Sequence, residues 1–583
     1  MQRDLNELAA RPFDILIVGA GAFGAAAAWD ATLRGLRVAL IDQRDFGSGA
    51  SAECFKMVHG GIRYLQHADI RRLRFSCAQR SAFLRIAPHL VNPLPIVIPT
   101  YGYGRQGKPF LAAGMFAYDL LTAGRNAGIE DRSRRIDGTE LLSRNQLLEL
   151  FPELEQRGLT GGAVFQDGQM YNPARLVLAF IKSAVSQGAV AANHTQALRF
   201  LWEGRRVCGV RARDCAGAGE FDIRAELVLN AAGPWAEYLL EDPQYFAQHP
   251  RGHFSRDACF LVNRKPRSKY ALAVPGWGRD SDAVVSRAAR HLFAVPWRDC
   301  TLIGVWHRLF AERPDTARVE ESELAAWIEE MNASYPALRL RRDDVIYANC
   351  GLVPFGDGRS EAGELSFGKE SRFLDHRSEG IEGLVTLIGI RYTTALGDAA
   401  KALDLLLRQW QGALRRAPTA EVPLAGGDIA DFEALRASAR RAVPQAVSTR
   451  TLSAWLRNYG TEYRNLVELA GSPALAQRLG DTDALMAEVT YAVREEMAVR
   501  LADVILRRTE LGSGSHPGQA AIAAAARGMQ QLLGWSDLQR EEEIADTERE
   551  LRHHRAPEPD KAAAQERQVF LGSSAGVFVP ENP

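Results

Sequence analysis

The first 42 residues alternate two largely apolar runs with a glycine-rich turn and an alanine-rich stretch. FDILIV (13–18) and LRVALID (36–42) have the pattern of parallel strands that are buried on both faces. The alanines of residues 25–35 favour a helix, and Gly35 marks its end. The pattern therefore predicts a β-α-β unit at the start of a parallel sheet.

The pattern of apolar positions changes further along the chain. Residues 384–410 predict a strand, a turn at Gly389 and a long amphipathic helix. Near residue 420, β-branched runs become rare and Ala, Leu, Arg and Glu dominate, which predicts a helical region. We therefore predict a mixed α/β region over 1–415, a helical domain over 416–555 and a mobile polar tail over 556–583.

Composition and charge narrow the class of protein. With 71 basic and 71 acidic residues among 583, the formal net charge is zero, which argues against nucleic-acid binding. The seven cysteines are scattered and never spaced as C-x-x-C, so we expect no disulfide framework, no metal site and a reducing, cytoplasmic compartment. The longest apolar stretch, residues 110–121, is shorter than the roughly 20 residues that span a bilayer.

The strongest chemical signal is the sequence GAGAFG between the first strand and the helix. Its three glycines have the G-x-G-x-x-G spacing of a turn that binds a dinucleotide pyrophosphate at a helix N-terminus. Asp42 ends the second strand, where an acid hydrogen-bonds the ribose hydroxyls of such a ligand. The predicted dinucleotide contacts in this unit are Gly19, Ala20, Gly21, Ala22, Phe23, Gly24, Asp42 and Gln43.

The glycine motif alone does not separate FAD from NAD. Its place near the start of the chain, followed by long insertions between the later strands, favours FAD. A second glycine-bearing turn, LNAAGPW, favours FAD as well. It adds Ala232, Gly233 and Trp235 to the predicted cofactor contacts.

Several blocks of the sequence, in order, resemble a known family. They include DILIVGAGAFG, LIDQRDFGSG, KMVHGGIRYL, GMFAYDLL, VFQDGQMYNPARL, LNAAGPW, AVPWRDCTLIG and IRYTTA. YGTEYRNLV and EVTYAVREEMAVRLADVILRRTELG continue the resemblance into the helical region. Over nearly its whole length, the chain resembles the FAD-dependent glycerol-3-phosphate dehydrogenases of the respiratory, membrane-associated kind.

The resemblance implies a fold and an activity. The fold is an α/β (α+β) FAD-binding Rossmann-like fold of the glutathione-reductase and D-amino-acid-oxidase type, with an interleaved substrate (cap) sheet and a C-terminal all-α domain. The activity is oxidation of sn-glycerol 3-phosphate to dihydroxyacetone phosphate, by hydride transfer to flavin N5 and electron transfer to quinone. The resemblance also implies peripheral attachment to the inner face of the cytoplasmic membrane and a tendency to form homodimers.

The resemblance further implies roles for individual residues. The chain packs against the flavin at Lys56, His59, Gly60 and Gly61. Further cofactor contacts are implied at Ser51, Gly389 and Thr393. The substrate side carries Arg63, Tyr64, Arg372 and Arg391. Arginines suit this side because guanidinium groups bind phosphate oxygens in pairs.

The sequence departs from the family pattern on the substrate side. Val353 stands where the family has an arginine, and Cys259 stands in a segment that carries a family histidine. In SAECFK only Ser51 is kept from a serine-rich run. Val305, Trp306 and His307 replace a threonine-threonine-aspartate segment. The glycine turns that bind the dinucleotide are unchanged, so the pattern predicts the cofactor more strongly than the substrate.

Oxidation of a hydroxyl group needs a base to accept its proton. The candidates are His59, next to the predicted flavin, and His307, in a family active-site segment. Arg391 is a third catalytic candidate, as a stabiliser of the developing alkoxide. Two alternatives to glycerol-3-phosphate oxidation stay open: a related FAD oxidoreductase with another hydroxy or amino substrate, and a non-catalytic flavoprotein.

Overall fold

The fold comes from a computed structural model. It describes residues 1–65, 67–102, 107–217, 219–241, 244–246, 254–279, 289–354, 370–410 and 416–555. The predicted mobile tail, residues 556–583, lies outside the described residues.

Strands predominate in the first two thirds of the chain, and helices follow. In order, the strands are β1 (Phe13–Val18), β2 (Val38–Ile41), β3 (Met57–Val58), β4 (Val91–Tyr101), β5 (Glu140–Ser143), β6 (Leu159–Met170), β7 (Val190–Ala192), β8 (Thr195–Glu203), β9 (Arg206–Asp214), β10 (Glu220–Asn230), β11 (Phe254–Val262), β12 (Ala271–Arg279), β13 (Ala289–Trp297), β14 (Cys300–Phe310), β15 (Val345–Pro354), β16 (Arg372–Asp375) and β17 (Leu384–Ile388). The α-helices are α1 (Leu5–Ala10), α2 (Ala22–Leu33), α3 (Ile70–Ile86), α4 (Lys108–Leu121), α5 (Arg144–Leu150), α6 (Pro173–Ser186), α7 (Glu321–Ser334), α8 (Ala395–Leu407), α9 (Phe432–Ala442), α10 (Thr449–Tyr459), α11 (Tyr463–Leu469), α12 (Met486–Glu495), α13 (Gln519–Leu533) and α14 (Asp537–His554).

The first sheet has the order β16-β17-β10-β1-β2-β7. Its strands from β17 to β7 run parallel, and β16 pairs antiparallel at the edge. Val18 lies opposite both Ile41 and Asn230, so the carboxyl ends of β1, β2 and β10 lie side by side. The predicted β-α-β unit is confirmed. Helix α2 begins at Ala22 rather than at residue 25, so it includes Gly24 of the glycine motif.

Helices cover one face of this sheet and a hairpin covers the other. Helices α2, α6 and α8 bury their apolar residues in one cluster with the strands. The alanines of α2 are fully buried, and their small side chains let the helix approach closely. The β8–β9 hairpin, which extends antiparallel from β10, packs on the opposite face together with α1.

The second sheet has the order β15-β11-β14-β13-β12-β4-β6-β3, and β5 pairs with β6. Its pairs are antiparallel except for the parallel β4–β12 pair. Helix α7 packs in an apolar cluster on one face, and α4 contributes to the cluster on the other. The segments of the two sheets alternate along the chain, which agrees with an interleaved cap sheet.

Helices α9 to α14 form the C-terminal region, with cores around Trp455 and around Ile522. The predicted architecture, a Rossmann-like α/β fold with an interleaved cap sheet and an all-α C-terminal region, is confirmed. In the described part of the chain, no helix has both the length and the apolar character that a bilayer crossing needs.

Candidate active site

The glycine turn after β1 packs so tightly that side chains have no room. Gly19 has a φ of +99°, and a Cβ on it would lie 2.6 Å from the carbonyl oxygen of Ala231. A Cβ on Gly24 would lie 1.8 Å from the carbonyl oxygen of Gly19. Gly19 therefore supplies the left-handed turn, and Gly24 allows the helix to pack against it.

Asp42 lies at the end of β2, beside this turn. Its carboxylate accepts hydrogen bonds from the backbone N–H groups of Ala20, at 2.7 Å, and Arg44, at 2.9 Å. Burial nevertheless raises the pKa of Asp42 to about 6. The carboxylate is thus ionised at neutral pH and keeps lone pairs for a ligand's hydroxyl groups.

The hydroxyl group of Ser51 lies at the N-terminus of α2. The backbone N–H of Ala22 donates to Ser51 Oγ at 2.9 Å, and a Cβ on Gly21 would come within 3.0 Å of the same oxygen. The positive end of the helix dipole also lies here. The arrangement suits an anionic group such as a pyrophosphate.

A cavity of about 410 Å³ opens along the carboxyl ends of the parallel strands. In α/β sheets, ligands bind in this position. Many residues predicted to contact a cofactor or substrate line its wall: Gly19, Gly21, Ala22, Phe23, Asp42, Gln43, Ser51, Ala232, Gly233, Trp235, Gly389 and Arg391. Ala20 and Gly24 lie directly behind this wall, where they shape the turn.

One end of the cavity carries charged and aromatic residues that the sequence patterns did not indicate. Arg44 donates to Asp315 Oδ1 at 2.5 Å, and the indole N–H of Trp235 donates to the same oxygen at 3.0 Å. The Arg44 guanidinium lies 5.2 Å from the centre of the Trp235 ring. Arg313 also lines this end.

Arg391 lies on the cavity wall, as do Val353, Gly389 and Ile390. Burial lowers the pKa of Arg391 to about 10, although nearby Asp398 opposes the shift, so the guanidinium stays charged at neutral pH. The guanidinium lies 5.2 Å from the centre of the Tyr64 ring. The structure therefore brings together two residues that the resemblance assigns to the substrate side.

His59 joins a buried polar network next to the cavity wall. Its Nδ1 lies 3.1 Å from Asp167 Oδ2, and its backbone N–H donates to Thr393 Oγ1 at 2.9 Å. Asp167 Oδ1 accepts from the backbone of Gly60 at 2.5 Å and from buried Arg80 at 2.9 Å. Burial acts to raise the pKa of Asp167, but the bond with His59 and the charge of Arg80 lower it overall. The carboxylate is thus ionised.

Protein side chains pack against the glycine pair that follows His59. A Cβ on Gly60 would lie 2.2 Å from the Arg80 guanidinium, and a Cβ on Gly61 would lie 2.4 Å from the Tyr64 ring. The resemblance implies that a flavin also lies against these glycines, and this contact stays a prediction. In the structure, protein side chains occupy the space where their own side chains would extend.

Four further predicted residues do not line the cavity: Lys56, Arg63, Arg372 and His307. Lys56 is buried with its Nζ 5.0 Å from the centre of the Trp297 ring. Arg372 forms an ion pair with Glu237 at 2.9 Å.

Arg63 is exposed, and its charge adds to the burial that lowers the pKa of His291 to about 4. His307 Nδ1 lies 2.8 Å from Asp257 Oδ1 on the neighbouring strand. The structure therefore does not bring Arg63, Arg372 or His307 to the wall that carries Arg391.

The departures from the family pattern occupy different places. Val353 lines the cavity, so an apolar side chain faces the ligand space at the position where the resemblance implies an arginine. Cys54 lines it too. Cys259 is buried, and burial raises its pKa to about 12, so its thiol stays protonated at neutral pH.

Comparisons with known proteins agree with this geometry. Residues 14–402 match the FAD dependent oxidoreductase family, and residues 417–540 match the C-terminal domain of alpha-glycerophosphate oxidase. The chain is 30% identical to a glycerol-3-phosphate dehydrogenase of Mycobacterium leprae, over 91% of this chain and 86% of that protein. A mitochondrial glycerol-3-phosphate dehydrogenase of Macaca fascicularis is also 30% identical, over 91% of this chain and 72% of that protein. A crystal structure of the Bacillus halodurans glycerol-3-phosphate dehydrogenase complexed with FAD superposes with a TM-score of 0.73, at 23% identity, over 95% of this chain and 97% of that one.

The chain therefore belongs to the FAD-dependent oxidoreductases, and FAD is its cofactor. Within that class it belongs to the glycerol-3-phosphate dehydrogenase family. The residues present fit FAD. The glycine turn packs without side chains at Gly19 and Gly24, the N-terminus of α2 faces the cavity, and the Asp42 carboxylate lies on the cavity wall, where a ribose hydroxyl would donate.

Proposed function

We propose that the chain oxidises sn-glycerol 3-phosphate to dihydroxyacetone phosphate and passes the electrons to a quinone. The observation that carries this proposal is the position of Arg391. Its half-buried side chain lines the same cavity as the glycine turn. A guanidinium group in a partly dry pocket binds phosphate oxygens with charge-assisted hydrogen bonds. The names of the relatives support the same substrate.

The cofactor would be held by the residues described above. The N-terminus of α2 and Ser51 take the pyrophosphate, and Asp42 takes the ribose. FAD, when bound, supplies N5 as the acceptor of the hydride that leaves C2 of the substrate. Arg391 then holds the phosphate and so fixes C2 relative to the cofactor.

His59 is the proposed base. With its proton on Nδ1, which lies 3.1 Å from the Asp167 carboxylate, Nε2 carries a lone pair that accepts the proton of the C2 hydroxyl. Asp167 is itself held by Arg80 and the Gly60 backbone, so the imidazole keeps one orientation. His307 is the weaker candidate, because it lies on β14 beside Asp257, whereas the His59 backbone bonds to Thr393, two residues after Arg391.

Val353 supports a second candidate function. An apolar side chain on the cavity wall removes one ligand that the family offers to phosphate. A less anionic hydroxy or amino substrate fits such a wall better. We therefore propose, as the alternative, a related FAD oxidoreductase that acts on such a substrate.

Anaerobic reduction of the purified protein separates these functions. We expect an oxidised flavin spectrum that bleaches with sn-glycerol 3-phosphate and does not bleach with glycerol, which lacks the phosphate. Bleaching by a neutral alcohol or an amino acid, with no response to glycerol 3-phosphate, selects the alternative. A colourless protein that takes up no FAD would leave only the non-catalytic function.

A quinone acceptor places the protein at a membrane surface, and one exposed face supports this part of the proposal. Phe110, Phe116 and Leu120 of α4 are 45, 73 and 70% exposed. Helix α3 packs beside α4 and exposes further apolar residues, with arginines between them. An apolar helix face flanked by cations suits an anionic bilayer surface.

Dimerisation stays a prediction, which light scattering on the purified protein would check.

We expect Phe116→Glu combined with Leu120→Glu to lower binding to anionic phospholipid vesicles by about tenfold or more, because each apolar side chain contributes about 1.5–3 kcal/mol when buried. Vesicle co-sedimentation measures the effect. The matched control is Leu538→Glu on α14, since Leu538 is 68% exposed. Equal vesicle binding by the double variant and the wild type would contradict this surface.

FAD binding should depend on pH through Asp42. Because its pKa is raised to about 6, the carboxylate takes up a proton as the pH falls and loses its charge-assisted bond with the ribose. We expect the Kd for FAD to be constant above pH 7 and to rise about tenfold between pH 7 and pH 5. Fluorescence titration measures it. Asp42→Asn should bind FAD weakly at every pH, and a pH-independent wild type would refute the role of Asp42.

A further inference from the structure

The loop that follows β2 lines one side of the cofactor cavity. We call residues 42–54 the cofactor loop, since most of them, from Asp42 to Cys54, lie on the cavity wall. Two acidic residues of the loop, Asp45 and Glu53, do not lie on that wall. Both side chains instead contact residues of the C-terminal helical region, one near each end of the loop.

Asp45 anchors the first end of the loop. Its fully buried carboxylate accepts from Arg507 at 2.7 Å and from both terminal nitrogens of Arg508 at 2.6 and 2.8 Å. Asn193 donates to the same carboxylate at 2.9 Å. Burial acts to raise the pKa of Asp45, but the charge of Arg508 lowers it overall. The two arginines lie in a π-helical turn of the helical region, Asp503–Arg508.

Glu53 anchors the second end through the last turn of α14. Its Oε1 lies 3.3 Å from Nδ1 of His554, and the His554 ring stacks on Tyr347 with centroids 5.5 Å apart. Burial acts against both charges, yet each partner favours the charge of the other, so the pKa of Glu53 is lowered and the pKa of His554 is raised. The two groups form an ion pair.

Asn349 connects Glu53 to Lys56, which follows the cofactor loop. With its amide nitrogen toward Glu53 Oε2 at 3.2 Å and its oxygen toward Lys56 Nζ at 2.7 Å, Asn349 satisfies both neighbours. Lys56 has a φ of +56°, a conformation that non-glycine residues adopt at a cost. The end of α14 thus connects through buried polar groups to the backbone that leaves the cofactor loop.

We propose that His554 is a positioning residue for the cofactor. It holds Glu53, and through Glu53 it holds the cofactor loop in the conformation that receives FAD. The helical region, anchored also at Asp45, is thereby a part of the cofactor site although it contributes no residue to the described cavity wall. The proposal concerns FAD and is independent of which substrate is oxidised.

The pairing implies that cofactor binding and docking of α14 stabilise each other. If the docked helix favours the FAD-binding conformation of the loop, FAD must favour the docked helix by the same factor. His554 lies near the end of the described chain, in the last turn of a helix whose preceding turns are largely exposed. Its replacement is therefore compatible with folding of the two sheets.

The test is FAD titration of the full-length chain after removal of its flavin. We expect His554→Gln to raise the Kd for FAD about tenfold. At saturating FAD, kcat and KM should stay within about twofold of the wild type, because His554 does not line the described cavity. The matched control is Arg552→Gln: Arg552 is exposed in the same last turn of α14, and its replacement should leave the Kd unchanged.

A double-variant cycle separates positioning from general destabilisation. Glu53→Gln with His554→Gln should raise the Kd no further than His554→Gln alone, because the two residues act as one unit. Effects that multiply would overturn the pairing. A Kd for His554→Gln within about twofold of the wild type, whatever the change in Tm, would overturn the proposal.

Discussion

Replacing Arg391 by methionine should lower kcat/KM for sn-glycerol 3-phosphate by about a hundredfold or more. Hydrogen bonds to a charged group contribute about 1.5–3 kcal/mol each, and a guanidinium forms two with one phosphate. A factor of ten corresponds to about 1.4 kcal/mol. The loss should fall mainly on KM if the guanidinium binds the ground state and the transition state equally. Steady-state kinetics with an artificial electron acceptor would measure it.

Two controls define the role of Arg391. Arg391→Lys keeps the charge and restores the residue that the resemblance places here, so it should keep most of the activity. Arg391→Met should keep the flavin spectrum and the wild-type Kd for FAD, because the glycine turn and Asp42 are separate from it. Full activity of Arg391→Met would remove the observation on which the proposed substrate depends.

The second large effect is expected at the glycine turn. Alanine at position 24 would place its Cβ 1.8 Å from the Gly19 carbonyl oxygen, which is backbone and cannot move aside alone. The helix and the turn must separate, which costs about 1–3 kcal/mol or more. We expect Gly24→Ala to raise the Kd for FAD about a hundredfold and to give a protein that purifies nearly colourless.

Gly114→Ala is the matched control for this change. Gly114 lies inside α4 with no heavy atom within 4 Å of a Cβ built on it. Alanine there should stabilise the helix by about 0.5–1 kcal/mol and leave the flavin content unchanged. The flavin-to-protein absorbance ratio and the Tm give both results. A fully flavinated Gly24→Ala protein would contradict the tight packing described for the turn.

The parts of the fold that sequence patterns predict are those with local signals. The β-α-β unit combines two apolar runs, an alanine-rich helix and a glycine spacing that belongs to one turn. The helical region after residue 416 is visible from composition alone. The order of strands in the cap sheet is not, because β3, β4, β6 and β11 to β15 come from distant segments whose pairing depends on packing.

In the candidate site too, residues with a local sequence signal were predictable and residues brought together from distant segments were not. Residues close to the glycine turns were predicted, and many of them line the cavity. Arg44, Arg313 and Asp315 were missed, because their roles arise from contacts between distant loops. The position of Arg44, two residues after Asp42, was the one local signal for this group.

The glycine pair at 60 and 61 shows a further limit of sequence patterns. A glycine pair indicates that another group approaches the backbone closely, and that inference is confirmed. The identity of the group was not readable, since the Arg80 guanidinium and the Tyr64 ring fill the space. Arg80 is fully buried 20 positions further along the chain and carried no motif of its own.

The hydrogen bond from the His59 backbone to Thr393 has a consequence for substrate length. Thr393 lies two residues after Arg391, so one short bond fixes the spacing between the proposed base and the proposed anion-binding group. The distance between these two groups should therefore limit the length of the substrate. We expect the site to favour molecules in which the number of carbon atoms between the reacting hydroxyl and the anionic end matches this spacing.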